Sequence, residues 1–103
     1  MQVDIRSQKT TVDEVLRAYV NRRLRLTLGR FGGVVAKVIV SIEEAYRNSG
    51  AVDKLCQIHV ILRPSGDFSV EAVGVTYRDV VDRATQRVAR AIDLDLQRRG
   101  DAS

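Results

Sequence analysis

Apolar residues stand at every second position in four separate stretches of this chain, and no other feature narrows its fold so far. Val3 and Ile5 alternate with Gln2, Asp4 and Arg6. Val34, Ala36, Val38, Val40 and Ile42 share one parity through 34–43, and Cys56, Ile58, Val60 and Leu62 share one through 54–63. Phe68, Val70 and Ala72 form a fourth, shorter set. Successive side chains of an extended strand point to opposite faces, so each stretch is predicted to be a strand with one apolar face.

Two other stretches change period. Val12, Val15, Leu16, Tyr19, Val20 and Leu24 recur every three or four residues, and so do Tyr77, Val80, Val81, Ala84, Val88, Ala91 and Ile92. Each is the stripe of an amphipathic helix. Thr10 or Thr11 is expected to cap the first helix, Thr11-Val12-Asp13-Glu14 having the spacing of a capping box; Thr76 opens the second with Thr76-Tyr77-Arg78-Asp79. Gly29, Gly32 and Gly33 should stop the first helix. Asn48-Ser49-Gly50 marks a loop and Pro64-Ser65-Gly66-Asp67 a turn. Residues 1–96 read as one domain, and 97–103 as a frayed tail.

The order is therefore β-α-β-β-β-α, an α+β fold. A helix between the first two strands makes a crossover, so those strands should be parallel, while the short later connections make antiparallel neighbours. Two amphipathic helices must bury their stripes, which places both on one face of a four-stranded mixed sheet. The other face would carry Gln2, Lys37, Ile39, Ser41, Gln57, His59, Ile61, Ser69 and Glu71, a mostly polar surface.

Several kinds of chemistry find no footing. No apolar run approaches the roughly 18 residues of a membrane span. The opening MQVDIRSQ has no apolar core of a secretion signal, and Cys56 has no second cysteine to pair with. Both fit a cytoplasmic protein. Cys56 and the single histidine, His59, lie three apart in a strand, so they point to opposite faces and make neither a metal site nor a catalytic pair. Cys56 reads as a small core residue. The glycines at 29, 32 and 33 follow a helix rather than a strand, which excludes a phosphate-binding loop. Glu43-Glu44 reads as a solvated strand end. The expectation is a protein without metal or cofactor that is not an enzyme.

Charge points elsewhere. The formal net charge is +4, and 14 of the 17 basic residues are arginine. Guanidinium forks suit phosphate oxygens and stack on bases, so such a chain favours a nucleic-acid partner. Arg83, Arg87 and Arg90, spaced i, i+4, i+7, form one stripe beside the apolar face of the last helix. Arg17, Asn21 and Arg25 form another on the first helix, with Arg22 on its flank and Arg23 snorkelling at the core edge. With the helices side by side, these residues are expected to build one basic ridge. The competing reading is a solvated helix face with Asp79, Asp82 and Asp93 as intrahelical partners.

The same residues resemble a family. Met1-Gln2-Val3-Asp4-Ile5 is similar to the opening strand of ribosome hibernation promoting factors and ribosome-associated inhibitors. Leu16-Arg17-Ala18-Tyr19-Val20, then Arg23-Leu24 and Phe31, resembles their first helix, and Val40-Ser41-Ile42-Glu43 the end of their second strand. Val81-Asp82 followed by Arg87-Val88-Ala89-Arg90 resembles their last helix. The match spans nearly the whole chain. Departures are Arg78 where the family usually has tyrosine, Asp93-Leu94-Asp95-Leu96 in place of a lysine-rich helix end, and a long Glu44–Val52 loop. Asp53-Lys54-Leu55-Cys56 is similar to a divergent branch, and a second, ribosome-dimerising domain is missing from this sequence.

The resemblance implies a β-α-β-β-β-α protein that occupies the decoding channel of the small ribosomal subunit under stress and blocks translation. Arg23, Arg87 and Arg90 match its RNA-contacting basic positions, and ribosomal RNA is the implied partner. Two other readings stand beside it: an interaction module of the same fold that dimerises or binds a protein through its open sheet face, and a duplex-RNA binder, since the last five elements follow the α-β-β-β-α order of such domains.

Overall fold

The computed structural model of the protein describes residues 1–7, 12–46 and 48–101. Strand β1 (Gln2–Arg6) leads into helix α1 (Glu14–Leu28), which ends in a 3-10 turn at Gly29–Phe31. Strands β2 (Val35–Tyr46), β3 (Val52–Leu62) and β4 (Asp67–Gly74) follow, and helix α2 (Tyr77–Asp101) closes the chain. The strands form one sheet in the order β1-β2-β3-β4. The β1–β2 pair is parallel and the other two are antiparallel, the mixed α+β arrangement expected from the connections.

The register explains why the period-two pattern works. Val3, Val38, Val60 and Phe68 lie side by side across all four strands. Ile5, Val40, Ile58 and Val70 form a second tier, and Ile42, Cys56 and Ala72 a third. A slip of one residue in any strand would turn its apolar set to water. The helices cover this face: Val20, Leu24 and Leu28 of α1 and Val80, Val81, Ala84, Val88 and Ile92 of α2 are buried in the same cluster as the strand residues. Helix α2 lies over β3 and β4, with α1 beside it.

Four details depart from the alternation and capping arguments. The ladder between β2 and β3 shifts register between Val35 and Lys37. This irregularity gives the buried position to Val35 rather than Ala36, so the larger side chain fills the core. Helix α1 is capped by Asp13, whose Oδ1 accepts from the Leu16 amide at 2.7 Å; Thr10 and Thr11, the expected caps, lie outside the described residues. Val15 of the expected stripe is 68% exposed, because α1 turns Val20, Leu24 and Leu28 to the core and Val15 falls outside that arc. Residues 97–101, expected as a frayed tail, are helical. There Arg99 pairs with Asp95 at 2.9 Å and reaches the Arg63 carbonyl at 3.4 Å. The expected cap at Thr76 is present, its Oγ1 accepting from the Asp79 amide at 3.1 Å.

The β3–β4 turn closes through the Leu62 amide on the Gly66 carbonyl at 2.8 Å. Gly66 has φ +102, a conformation that side chains with a Cβ rarely adopt. Among the described residues no helix is long and apolar enough to cross a membrane.

Cys56 is wholly buried, and burial pushes its thiol up to about 12. The thiolate is the reactive form, so native Cys56 should label only as fast as the fold opens, and rapidly in denaturant. Fast labelling of native protein by a thiol reagent would contradict this packing. Leu24→Ala should cost about 2–5 kcal/mol in denaturant unfolding, since Leu24 sits fully buried between the helices and the sheet.

Candidate nucleic-acid interface

The contacts between the helices climb both together: Tyr19 and Arg23 meet Asp82, and Arg30 meets Asp93 further along. The helices therefore run parallel, with both N-termini at one end of the molecule. Acids occupy that end: Asp13 and Glu14 on α1, and Asp79 on α2. They offset the partial positive charge that two aligned helix starts bring together.

Asp82 is the centre of the seam. Its Oδ1 accepts the Tyr19 hydroxyl at 2.5 Å and lies 3.0 Å from Arg23 Nε. The Arg23 N–H is not aimed along a hydrogen bond, so this second contact is a charge pair rather than a donor–acceptor one. Arg78 lies over the ring of the same phenol, 4.8 Å from its centroid. Donating to a carboxylate holds the Tyr19 hydroxyl above its ordinary value of 10.0; burial and the negative charge of Asp82 push the same way, against weaker opposing pulls from Arg23 and Arg78. Arg23 is thus a seam residue with partial exposure, as its position at the core edge suggested.

The remaining arginines divide between two flanks. On α2, Arg83, Arg87 and Arg90 lie together around one shallow hollow with Gln86. This is the stripe that the i, i+4, i+7 spacing predicts, and it faces β4. Arg83 donates to the Val73 carbonyl at 2.6 Å and pairs with Asp79 at 2.8 Å. Arg87 donates to the Glu71 carbonyl. Arg90 is exposed and bonded to nothing among the described residues. On α1, Arg17 borders a hollow with Ile5, Arg6 and Ser7 near β1, the opposite edge of the sheet. Arg22 lies on the outer surface beside Tyr19 and Arg78, and Arg25 is exposed in the last turn.

The expected single ridge is therefore split. The seam of Asp82, Tyr19 and Arg78 runs between the helices, and the Arg83-Arg87-Arg90 stripe and Arg17 face away from each other across it. The expectation of three intrahelical acid partners also changes: Asp79 pairs within α2, whereas Asp82 reaches across to α1 and Asp93 to Arg30 in the 3-10 turn that follows it. Side-chain spacing on one helix identifies a stripe but carries no information on which neighbour that stripe meets. Arg78 escapes a spacing argument for the same reason, because its partner Tyr19 comes from another element.

The open sheet face carries one further cluster. His59 and Ser69 are cross-strand partners, with Nδ1 and Oγ 2.6 Å apart, and His59 Nε2 lies 3.0 Å from Asp67 Oδ2. The residue types match those of acyl-transfer enzymes. Nucleophilic catalysis requires donors converging on the oxyanion in a water-excluded site, and these side chains stand on an open sheet face with the Asp67 side chain 61% exposed. They act as a clamp between β3 and β4. Among the described residues no group of three or more His, Cys, Asp or Glu is placed to hold a metal ion.

Comparisons with known proteins agree with this architecture. Residues 3–99 match the family model described as Sigma 54 modulation protein / S30EA ribosomal protein. A ribosomal subunit interface protein from Coxiella burnetii superposes with a TM-score of 0.80 at 13% identity, over 94% of this chain and 99% of that one. The Protein Y N-terminal domain of Thermus thermophilus superposes with a TM-score of 0.70 at 19% identity, over 89% of this chain and 96% of that one. At these identities the two structures show a shared fold. No curated protein sequence matches the chain.

Asp82→Ala should cost about 1–2 kcal/mol, because it strands the Tyr19 hydroxyl and the Arg23 charge at a half-buried seam. The raised Tyr19 value gives the contribution a pH dependence. It is fully present below the unfolded tyrosine value of 10.0 and is lost as pH rises through the higher folded value. Phenolate absorbance against pH should show one tyrosine titrating lower in the variant than in the wild type.

Proposed function

We propose a ribosome-binding role, from the premise that the chain belongs to the Sigma 54 modulation protein / S30EA ribosomal protein family. In this reading the protein sits on the small subunit between head and body, occupies the decoding channel under stress, and so inhibits translation. The partner is ribosomal RNA, met through phosphates rather than read base by base. The observation that carries the reading is the Arg83-Arg87-Arg90 stripe: three arginines around one hollow, one of them with no bond among the described residues, on a chain of net charge +4. Arg17, Arg22 and Arg25 are secondary contacts on the other helix, and Arg23 contributes by holding the seam with its outer edge exposed.

The geometry ranks these residues. Arg90 is free to reach a phosphate at no internal cost. Arg87 must exchange a carbonyl for a phosphate, a trade that favours the phosphate because a charged acceptor makes the stronger bond, whereas Arg83, held by the Asp79 carboxylate as well as the Val73 carbonyl, has less to gain. The open sheet face supports a partner less well. Ile39 and Ile61 stand toward one end of it and the cross-strand pair Leu55 and Val73 toward the other, with Ser41, Gln57 and Glu71 between them. Among the described residues that polar row divides the apolar surface in two.

Sedimentation with purified small subunits tests the reading. Wild-type protein should co-sediment at low salt and be released steeply as salt rises, since each phosphate contact releases counterions. Arg90→Glu should fold as the wild type does by circular dichroism, bind more weakly, and lower the slope of log affinity on log salt by about one. Arg87→Glu with Arg90→Glu should abolish both binding and the inhibition of cell-free translation. A wild type that stays in the supernatant at low salt would defeat the ribosome reading; an Arg90→Glu protein that binds as tightly as the wild type would move the contact to Arg17, Arg22 and Arg25.

A further inference from the structure

An exposed edge strand offers a row of free backbone donors and acceptors to any other strand, and folded proteins have to manage it. The two edges of this sheet differ. Strand β1 is five residues long, whereas β4 runs for eight, from Asp67 to Gly74, and pairs only with β3. In an antiparallel ladder the N–H and C=O of one residue point to the same side and alternate along the strand. Glu71 and Val73, two apart, accordingly aim their carbonyls outward together.

Those two carbonyls are the ones that α2 occupies. Arg87 donates to Glu71 and Arg83 to Val73. The second contact is braced: Asp79 holds the Arg83 guanidinium through both Nε and Nη2, at 3.1 and 2.8 Å. The strand end makes room for this pair. A Cβ at Gly74 would strike the Arg83 guanidinium and come within 2.7 Å of Asp79 Oδ2. Two arginines one helical turn apart thus match two carbonyls two residues apart on the strand. Beside them Val73 and Val75 remain 43% and 79% exposed, apolar surface at the same end of the edge.

We propose that the outer edge of β4 is a strand-pairing surface for a second copy of this chain, held shut by Arg83 and Arg87. The occupant follows from the edge itself. An antiparallel pairing of β4 with its own copy satisfies a two-fold axis, so the same groups serve both partners. A register that sets Ser69 opposite Glu71 of the second copy avoids placing the two Glu71 carboxylates directly opposite each other and sets Val73 across from Asp67. The four outward residues, Asp67, Ser69, Glu71 and Val73, then supply main-chain bonds in the manner of strand addition. With the guanidiniums in place the carbonyls are occupied and the bulk of two arginine side chains bars approach. This surface is the sheet edge and not the open sheet face, and the proposal does not depend on ribosome binding.

The test needs no RNA. Wild-type protein should sediment as a monomer, and Arg83→Ala with Arg87→Ala should give a concentration-dependent dimer in sedimentation velocity, with circular dichroism showing the fold retained. Adding Glu71→Pro to that variant should restore the monomer. The proline removes an outward N–H and blocks the edge while leaving the β3–β4 bonds in place. Hydrogen exchange gives a second measurement that does not depend on the proline variant folding: the Glu71 and Val73 amides should be slowed at least tenfold in the dimer relative to the wild type. A double-alanine variant that stays monomeric at every concentration overturns the proposal. So does association that leaves those two amides exchanging as fast as before.

Discussion

Everything in this structure depends on the three tiers of apolar side chains that run across the sheet. Val3, Val38, Val60 and Phe68 form one, Ile5, Val40, Ile58 and Val70 the next, and Ile42, Cys56 and Ala72 the last. A chain of 103 residues buries a modest core, so it cannot spare a strand to misregister. The register shift beside Val35 shows the constraint at work. The ladder accepts an irregularity there, and the result is that a valine rather than an alanine takes the buried position. The helices add their stripes to this platform, and all other features of the surface are positioned by it.

The seam between the helices turns that platform into a particular surface. Parallel helices bring two N-termini to one end, and the acids Asp13, Glu14 and Asp79 compensate there. Further along, Asp82 gathers Tyr19 and Arg23 from α1, and Arg78 closes over the phenol. Individually such half-exposed contacts are worth about 1 kcal/mol or less. They reinforce the rotation of α2 that its buried stripe of Val80, Val81, Ala84, Val88 and Ile92 sets, which turns Arg83 and Arg87 toward β4. An arginine stripe beside a strand edge can then do two things, namely contact phosphate from outside and occupy strand carbonyls within.

The family relationship and these geometric facts bear on different levels. Membership rests on a match across residues 3–99, and the shared architecture with the Coxiella burnetii and Thermus thermophilus proteins holds at identities of 13% and 19%. At such distances the period-two and period-3.6 patterns persist because burial demands them, while individual surface residues drift. The proposed RNA contact is therefore argued from the arginines of this chain, ranked by what each one already bonds.

The sequence by itself determined the element order, the class of fold, the parallel first pair and the buried place of Cys56. These follow from local periodicity and from the geometry of connections, which act along the chain. It also marked Thr76 as a cap and Arg83, Arg87 and Arg90 as one stripe, both properties of a single turn or helix. What it could not decide were relations between elements. Spacing put Arg17 and Arg87 on one ridge, yet the sheet separates them to opposite flanks. It paired Asp82 and Asp93 within their helix, yet Asp82 reaches across to α1 and Asp93 to the 3-10 turn that follows it. It placed Arg87 on a stripe of the last helix, yet could not show that the stripe meets the carbonyl of Glu71 on β4. Only tertiary structure brings a strand edge under a helix flank, because those two surfaces are set by the packing of the core between them and not by any residue on either.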